Sequence, residues 1–350
     1  MNRSAHMNLA GNQGVPVSRV IEGVAWSVPP NAARHTRPVQ LVNQLSRMGL
    51  ISEKTVFVHA GRAPSAGTHQ IRARAPWYPT VPRSDGAWAV LSPVFRGVRD
   101  AVWRDYYDDW SIAPDINPLH RAIASATYRT MSRVGQEAST TITVNTSYMA
   151  RKLGLADSHI IPNGVDPSLA DVPIAGDSLQ RLVVLGTFMD GRTDWDMLRN
   201  FVLSGRWREV LIGAPGTSAA MLDILKQAER RTDVSLRVVD WLPVSDLGHV
   251  AGSRTVCLIP HLVNDYTLSQ DLMKAYQFAA LGLPTIVPTA LIPPGLGAAP
   301  LVGFVPDQTV TDLKIPPLLA VPDRVAFCRT NSWAVRAQGV ADLMAANIGL

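Results

Sequence analysis

Between Cys257 and Pro288 the chain reads CLIPHLVNDYTLSQDLMKAYQFAALGLPTIVP. The run Val256-Cys257-Leu258-Ile259-Pro260 is short, apolar and closed by proline, the pattern of a strand buried in a parallel sheet. A polar loop follows, and a helix is expected to start around Ser269 or Asp271. After Gly282-Leu283-Pro284, Thr285-Ile286-Val287 reads as a second buried strand. Such a unit puts the loop and the helix N-terminus at the carboxyl edge of the sheet, where open α/β sheets bind ligands. Backbone N–H groups and the helix dipole favour a phosphate there, and Lys274 stands in the first turns to help hold it. Met273 and Gln277, four apart, share a face of that helix.

Around this stretch the second half alternates strand and helix with short connections, as a doubly wound sheet does. Strands are expected at Arg181–Leu185, Glu209–Gly213, Leu236–Val239 and Leu301–Phe304, and helices over Trp195–Leu203, Met221–Arg230 and Leu247–Val250. Asn331 and Ser332 cap a final helix reaching Leu343. In the first half, strands are expected at Ser18–Trp26, Thr55–His59, Ala87–Leu91, Thr140–Val144 and His159–Ile161. Another runs from Ala101 into the acidic, aromatic loop Tyr107-Asp108-Asp109-Trp110. Helices are expected over Pro38–Leu45, closed by Gly49, over Pro118–Gln136, and through Leu153 from a cap at Thr146 or Ser147. Residues 60–86 read as an irregular connection with a short strand.

The stretch first quoted resembles the nucleotide-sugar half of a GT-B glycosyltransferase. Many members have a proline-ended strand, a polar loop, a helix with Lys-x-x-Glu or Lys-x-x-Gln, then Ala-x-Gly-x-Pro and a strand. Here these are Lys274-Ala275-Tyr276-Gln277 and Ala280-Leu281-Gly282-Leu283-Pro284. Pro162-Asn163-Gly164-Val165-Asp166 resembles the interdomain junction of these enzymes, and Ser332-Trp333-Ala334-Val335-Arg336-Ala337 the terminal helix that folds back on the first domain. The bland alternatives are a generic strand–helix–strand unit and a turn between two strands. The resemblance implies an α/β protein of two Rossmann-like doubly wound domains facing a cleft. They would divide as a loose tail (1–17), an acceptor-binding domain (18–165), a nucleotide-sugar domain (166–330) and a crossover helix (331–350).

Composition sets outer bounds. A chain of 350 residues with 47% hydrophobic and 17% charged residues is a well-cored globular protein of two-domain size. No apolar run approaches the roughly 18–20 residues that span a bilayer, and the N-terminus lacks a signal-peptide core. Two cysteines make no disulfide framework, so a cytoplasmic setting is expected. Residues 1–165 hold 18 Lys and Arg against 10 Asp and Glu, a net +8, whereas residues 166–350 carry −3. The basic half suits an anionic membrane surface or a lipid pyrophosphate, unless it is scattered arginine alone. No nucleic-acid partner is expected, because only Lys54 and Lys152 are lysines in that half and no basic block occurs.

Retaining GT-B enzymes carry two glutamates eight positions apart, the second in the Lys-x-x-Glu helix. Here those positions are Ser269 and Gln277, so the retaining signature is missing. The Met273-Lys274-x-x-Gln277 helix looks closer to that of the inverting glucuronosyltransferase of xanthan assembly, which holds the nucleotide diphosphate. An inverting transfer needs a base for the acceptor hydroxyl. Asp109, slightly preferred, and Asp108 are the candidates, on the assumption that two adjacent carboxylates push one pKa up. His35 and Arg37 are candidates for the acceptor side. On the donor side, Gly186 and Thr187 follow the second half's first strand, where backbone can approach a diphosphate, the resemblance implies Trp241, after a later strand, as a contact to the base, and Ser269, Met273, Lys274 and Gln277 complete the set. Asp194-Trp195-Asp196 spells a metal-binding Asp-x-Asp, but its place at a helix start is explained by the dipole, and no metal is expected.

The resemblance therefore implies a metal-independent transferase of hexosyl or glucuronosyl type, with no cofactor beyond a UDP-, GDP- or dTDP-linked sugar donor. A glycan, lipid-linked or small-molecule acceptor and a role in surface polysaccharide or glycolipid assembly would follow, with docking on the inner membrane face. A natural-product glycosyltransferase, a nucleotide-sugar 2-epimerase and a non-catalytic GT-B-like subunit remain open.

Overall fold

Strands that are apolar on both faces must be covered on both, and the chain meets this requirement twice. The structure, a computed structural model, describes residues 21–26, 36–59, 70–72, 87–93, 101–114, 116–134, 140–174, 176–296 and 299–348. In the first half β1 (Ile21–Trp26), β2 (Ile51–His59), β3 (Gln70–Arg72), β4 (Ala87–Leu91), β5 (Ala101–Tyr106) and β6 (Thr141–Val144) form a parallel sheet ordered β3-β2-β1-β4-β5-β6. In the second, β7 (Arg181–Leu185), β8 (Glu209–Gly213), β9 (Ser235–Val239), β10 (Thr255–Leu258), β11 (Thr285–Pro288) and β12 (Leu301–Phe304) are ordered β12-β11-β10-β7-β8-β9, again parallel. Both follow the 3-2-1-4-5-6 order of a doubly wound sheet. Each order reverses beside its first strand, between β1 and β4 and between β7 and β10, and ligands bind outside the carboxyl ends at such points.

The helices that cover these sheets are α1 (Arg37–Arg47), α2 (Pro118–Val134), α3 (Ser147–Leu153), α4 (Trp195–Val202), α5 (Ala219–Glu229), α6 (Val244–Val250), α7 (Asp265–Leu268), α8 (Met273–Ala280), α9 (Val321–Asn331) and α10 (Trp333–Ile348). The α1 stripe Val39, Leu41, Val42 and Leu45 is buried. The last helix returns to the first half, where Trp333, Ala337, Val340 and Met344 of α10 join the same core cluster. Among the described residues no helix is long and apolar enough to cross a membrane.

Two crossings join the halves, and they pair with each other. Val165 donates its N–H to Asn331 O at 2.9 Å and accepts from Trp333 N at 3.2 Å. Gly164 allows this approach, because a Cβ there would lie 2.8 Å from Trp333 N and 2.9 Å from its Cα. Beside the crossing sits a buried polar network. Arg37 holds Asp105 through Nε and Nη2, both at 2.8 Å. Thr143 Oγ1 donates to the same carboxylate at 2.7 Å and accepts from Trp103 Nε1 at 2.9 Å. Asn163 accepts from Arg37 Nη1 at 3.5 Å and from Arg336 Nε at 3.0 Å, and donates to the Asp271 carboxylate and, at 2.7 Å, to Asp271 O. Tyr276 OH donates to Asp271 Oδ1 at 3.1 Å.

Three expectations need correction. His159–Ile161 is not a strand: Asp157–His159 form a 3₁₀ turn and Ile160 makes a single parallel bridge to Val144. The helix expected from Ser269 or Asp271 begins at Met273, and a separate turn, α7, precedes it behind an Asn264–Thr267 capping box. The side chains of Ser269 and Asp271 are occupied elsewhere, so neither caps α8. Finally, α9 was not foreseen from the pattern, because its buried positions Arg324, Phe327, Cys328 and Asn331 mix polar with apolar groups and blur the period.

The Arg37→Met variant would leave Asp105 charged and buried without its partner, and such losses cost about 3–5 kcal/mol. A matching fall in the unfolding free energy from urea denaturation is expected. An unchanged urea midpoint would show that the pair contributes nothing net.

Candidate functional site

On the second sheet, β7 ends at the switch point and Gly186 follows it with φ +152°, a conformation that side chains rarely adopt. A Cβ at 186 would overlap the Lys274 ammonium, which reaches across from α8. Arg192, on the same post-β7 loop, donates through Nη2 to Thr187 O, while its Nε is buried without a protein partner. His261, three residues after β10, bridges Thr193 through the backbone, and its Nδ1 is likewise buried and unpartnered. Burial, then the Arg192 and Lys274 charges, push this imidazole down to about 3, so it is neutral at ordinary pH. Burial, then Arg192, lower the Lys274 ammonium to about 8. Two cations and a neutral imidazole thus converge at the carboxyl end of the β7–β10 pair, an arrangement that accommodates an anion.

The other predicted donor-side residues take different places. Met273 packs onto the first half's core cluster with Trp333, so it docks α8 on that half. Ser269 is fully buried, with Oγ donating to Tyr266 O at 2.6 Å and accepting the Asp109 N–H at 2.8 Å. Gln277 is half-buried one turn beyond Lys274, and Thr187 is exposed. Trp241 is 70% exposed just beyond β9, two strands from β7 and therefore on the order of 10 Å away across the sheet.

On the first sheet, β5 runs into the loop carrying Asp108 and Asp109, and their environments differ sharply. The Asp109 carboxylate is fully buried and ion-paired with Lys152, and it accepts from Ser111 N at 3.1 Å and Ser111 Oγ at 2.6 Å. Asp108 adopts φ 59°, unusual for a residue with a side chain, and Tyr128 OH donates to its backbone O at 3.1 Å. Among the described residues its half-buried carboxylate receives two long amide contacts, Asn145 Nδ2 and Gln270 Nε2, each at 3.4 Å. Burial pushes this carboxyl up to about 6, opposed by Gln270, Asn145, Arg192 and Arg37. The expected cause, repulsion between adjacent carboxylates, is thus replaced by desolvation. Of the two, Asp108 has the capacity to exchange a proton near neutrality, whereas Asp109 is committed to holding the turn.

Of the acceptor-side candidates, His35 lies outside the described residues, and Arg37 is 2% exposed with its guanidinium committed to Asp105. Asp194 caps α4 by accepting from Met197 N at 2.8 Å, and Asp196 pairs with Arg199, so the Asp-x-Asp residues serve the helix start. Among the described residues no group of three or more His, Cys, Asp or Glu is placed to hold a metal ion. Sequence reading missed Arg192, His261, Asn145 and Gln270. Each directly follows or closes a loop at a strand's carboxyl end, and that position was the available signal.

The sequence matches no protein-family model and no curated protein. Solved structures do match. AviGT4, a glycosyltransferase involved in avilamycin A biosynthesis, superposes with a TM-score of 0.55 at 13% identity over 93% of this chain and 97% of that one. The UDP-forming α,α-trehalose-phosphate synthase from Burkholderia vietnamiensis gives 0.52 at 13% identity over 93% and 99%. The fold is GT-B. Within this GT-B frame the Lys274–Arg192 cluster belongs to the second Rossmann-like unit and Asp108 to the first. The Asp108 loop meets the second unit where the Asp109 N–H reaches Ser269, five residues before Lys274.

Gly186→Ala should displace the Lys274 ammonium and weaken binding of inorganic pyrophosphate about tenfold or more, the effect of losing one charge-assisted contact. Calorimetry on a variant with an unchanged circular dichroism spectrum reads this. Undiminished affinity would place the anion elsewhere.

Proposed function

We propose that this chain is a glycosyltransferase that moves a sugar from a nucleoside-diphosphate donor to an acceptor hydroxyl, with inversion and without a metal. The observation that carries this reading is the pairing, across the two units, of a desolvated carboxylate (Asp108) with a desolvated cation cluster (Lys274 and Arg192). Lys274 and Arg192 neutralise the diphosphate as its bond to the anomeric carbon breaks. The acceptor oxygen attacks that carbon from the opposite face, and its proton passes to Asp108. Asp109, clamped by Lys152 and Ser111, holds the turn that presents Asp108. Gln277 is assigned to the ribose, and the exposed Trp241 to stacking on the base.

Inversion is favoured because Ser269 and Gln277 stand where a retaining enzyme keeps glutamates, and Ser269 is engaged between the two units. The names of both structural neighbours, a glycosyltransferase and a UDP-forming synthase, agree with a nucleoside-diphosphate donor. The net +8 of residues 1–165 suits a lipid-linked acceptor at an anionic membrane surface, as in polysaccharide or glycolipid assembly.

Lys274→Ala is expected to abolish or strongly weaken binding of whichever of UDP, GDP and dTDP the protein takes, read by calorimetry. Equal affinity would remove the assigned donor site. The pH profile follows from the two shifts. Asp108 works only when ionised, with a carboxyl near 6, and Lys274 only when protonated, with an ammonium near 8. The value of kcat/KM should rise through about pH 6 and fall through about pH 8. Buried Asp271 is also raised to about 6, so the profile alone does not assign the acid limb. Asp108→Asn should cut kcat by about 10²–10⁴ and erase that limb. A surviving acid limb would move the base away from Asp108. The anomeric configuration of the first product, followed by NMR, tests inversion.

A further inference from the structure

Two polar atoms beside Asp108 have no use in the transfer step described above. Asn145, directly after β6, and Gln270, from the loop after β10, each turn an amide N–H towards the Asp108 carboxylate, at 3.4 Å. The other end of each amide, Asn145 Oδ1 and Gln270 Oε1, is buried and has no partner among the described residues. Rotating either amide would turn its oxygen on the carboxylate, so the carboxylate itself dictates which end is left over. Asn145 is only 3% exposed. Buried carbonyl oxygens without a donor are rare in folded proteins, and two of them flank one carboxylate here, one from each unit of the cleft.

An acceptor-only atom requires a donor, either O–H or N–H. In the transfer step the group at Asp108 is the acceptor's attacking hydroxyl, so donors that meet these oxygens are sought on the same acceptor, as further hydroxyls. Asn145 meets Asp108 Oδ1 and Gln270 meets Asp108 Oδ2, so the two amides stand on either side of the carboxylate that takes the acceptor's proton.

We propose that Asn145 and Gln270 select a polyhydroxylated acceptor, a sugar or a cyclitol. Its attacking hydroxyl lies at Asp108, and its flanking hydroxyls donate to Asn145 Oδ1 and Gln270 Oε1. This rests on the glycosyl-transfer reading and adds the acceptor class to it. A monohydric alcohol would leave one or both oxygens unpaired, and sites built to bond a hydroxyl reject analogues that lack it. Because Gln270 sits one residue before Asp271 and four before Lys274, the same contact ties acceptor recognition to the donor-binding unit.

The test uses the full chain with the nucleotide sugar whose diphosphate it binds by calorimetry. Methyl glycosides and inositol are compared as acceptors with a monohydric phenol of similar size. The wild type is expected to prefer the polyols by about a hundredfold or more in kcat/KM. Gln270→Met and Asn145→Ala are expected to raise the polyol KM about tenfold and to narrow that preference, while the nucleoside-diphosphate Kd stays within about twofold. The half-exposed Gln270 carries the test by itself if Asn145→Ala does not fold. A wild type that uses the phenol as well as the polyols, or variants with an unchanged polyol KM, would overturn the proposal while leaving glycosyl transfer standing. A wild type that binds no nucleoside diphosphate would overturn both.

Discussion

Asn163 is the residue on which the relation between the two sheets rests. Its backbone N–H and side-chain N–H groups go to Asp271 of the second unit, its side-chain oxygen accepts from Arg37 of α1, and its backbone carbonyl accepts from Arg336 of α10. At 4% exposure no one of these groups could find water instead, so each partner is obligatory. The network draws together the start of the first sheet's covering helix, the junction, the loop before α8 and the returning helix. It is polar where a core would be apolar. Directional bonds specify one orientation of two units, whereas apolar surfaces alone would allow them to slide.

That orientation sets the chemistry of the cleft. With the units held this way, the loop after β5 meets the segment between α7 and α8, and Asp108 and Lys274 are each partly withdrawn from water. Desolvation then moves both groups towards neutrality, the carboxyl up to about 6 and the ammonium down to about 8. Neither shift needs an unusual residue. Both arise because ordinary charged side chains are buried near the carboxyl ends of parallel strands, with the Arg192 charge adding to the shift at Lys274. The same closure explains the division of labour between neighbours in the chain. The side chain of Asp109 points to Lys152 and Ser111, while the left-handed turn at Asp108 aims its carboxylate towards the other unit.

Much of this architecture was legible in the residues. Buried strands such as Thr285–Pro288 and Arg181–Leu185 are apolar over nearly their whole length and bounded by glycine or proline, so local pattern suffices to find them. Lys274 beside Gly186 was also within reach, because both lie at loop–element boundaries that the doubly wound order brings to one edge. Harder to see was α9, whose buried face includes Arg324 and Asn331. Ser269, eight residues before Gln277, and Met273, in the Met-Lys-x-x-Gln resemblance, are donor-side expectations, and in the structure both contact the first unit, because a segment at a domain boundary has two surfaces to satisfy.

The sequence by itself determined the alternation of strand and helix in the second half and the place of Lys274 at the carboxyl edge of its sheet, because periodicity and turn residues act over short stretches. The two-unit division, the junction near Asn163 and the return of the last helix were expectations from the resemblance of Pro162–Asp166 and Ser332–Ala337 to GT-B motifs. Only the tertiary structure showed that Asp109 is ion-paired with Lys152 while Asp108 meets two long amide contacts. It also decided that Arg37 is buried, and that Arg192, His261, Asn145 and Gln270 line the site. The reason is physical: a side chain's protonation and availability depend on what removes its water and what bonds it. For Asp108 and Asp109 those partners lie 37 and 43 residues away in the chain, or in the other unit altogether.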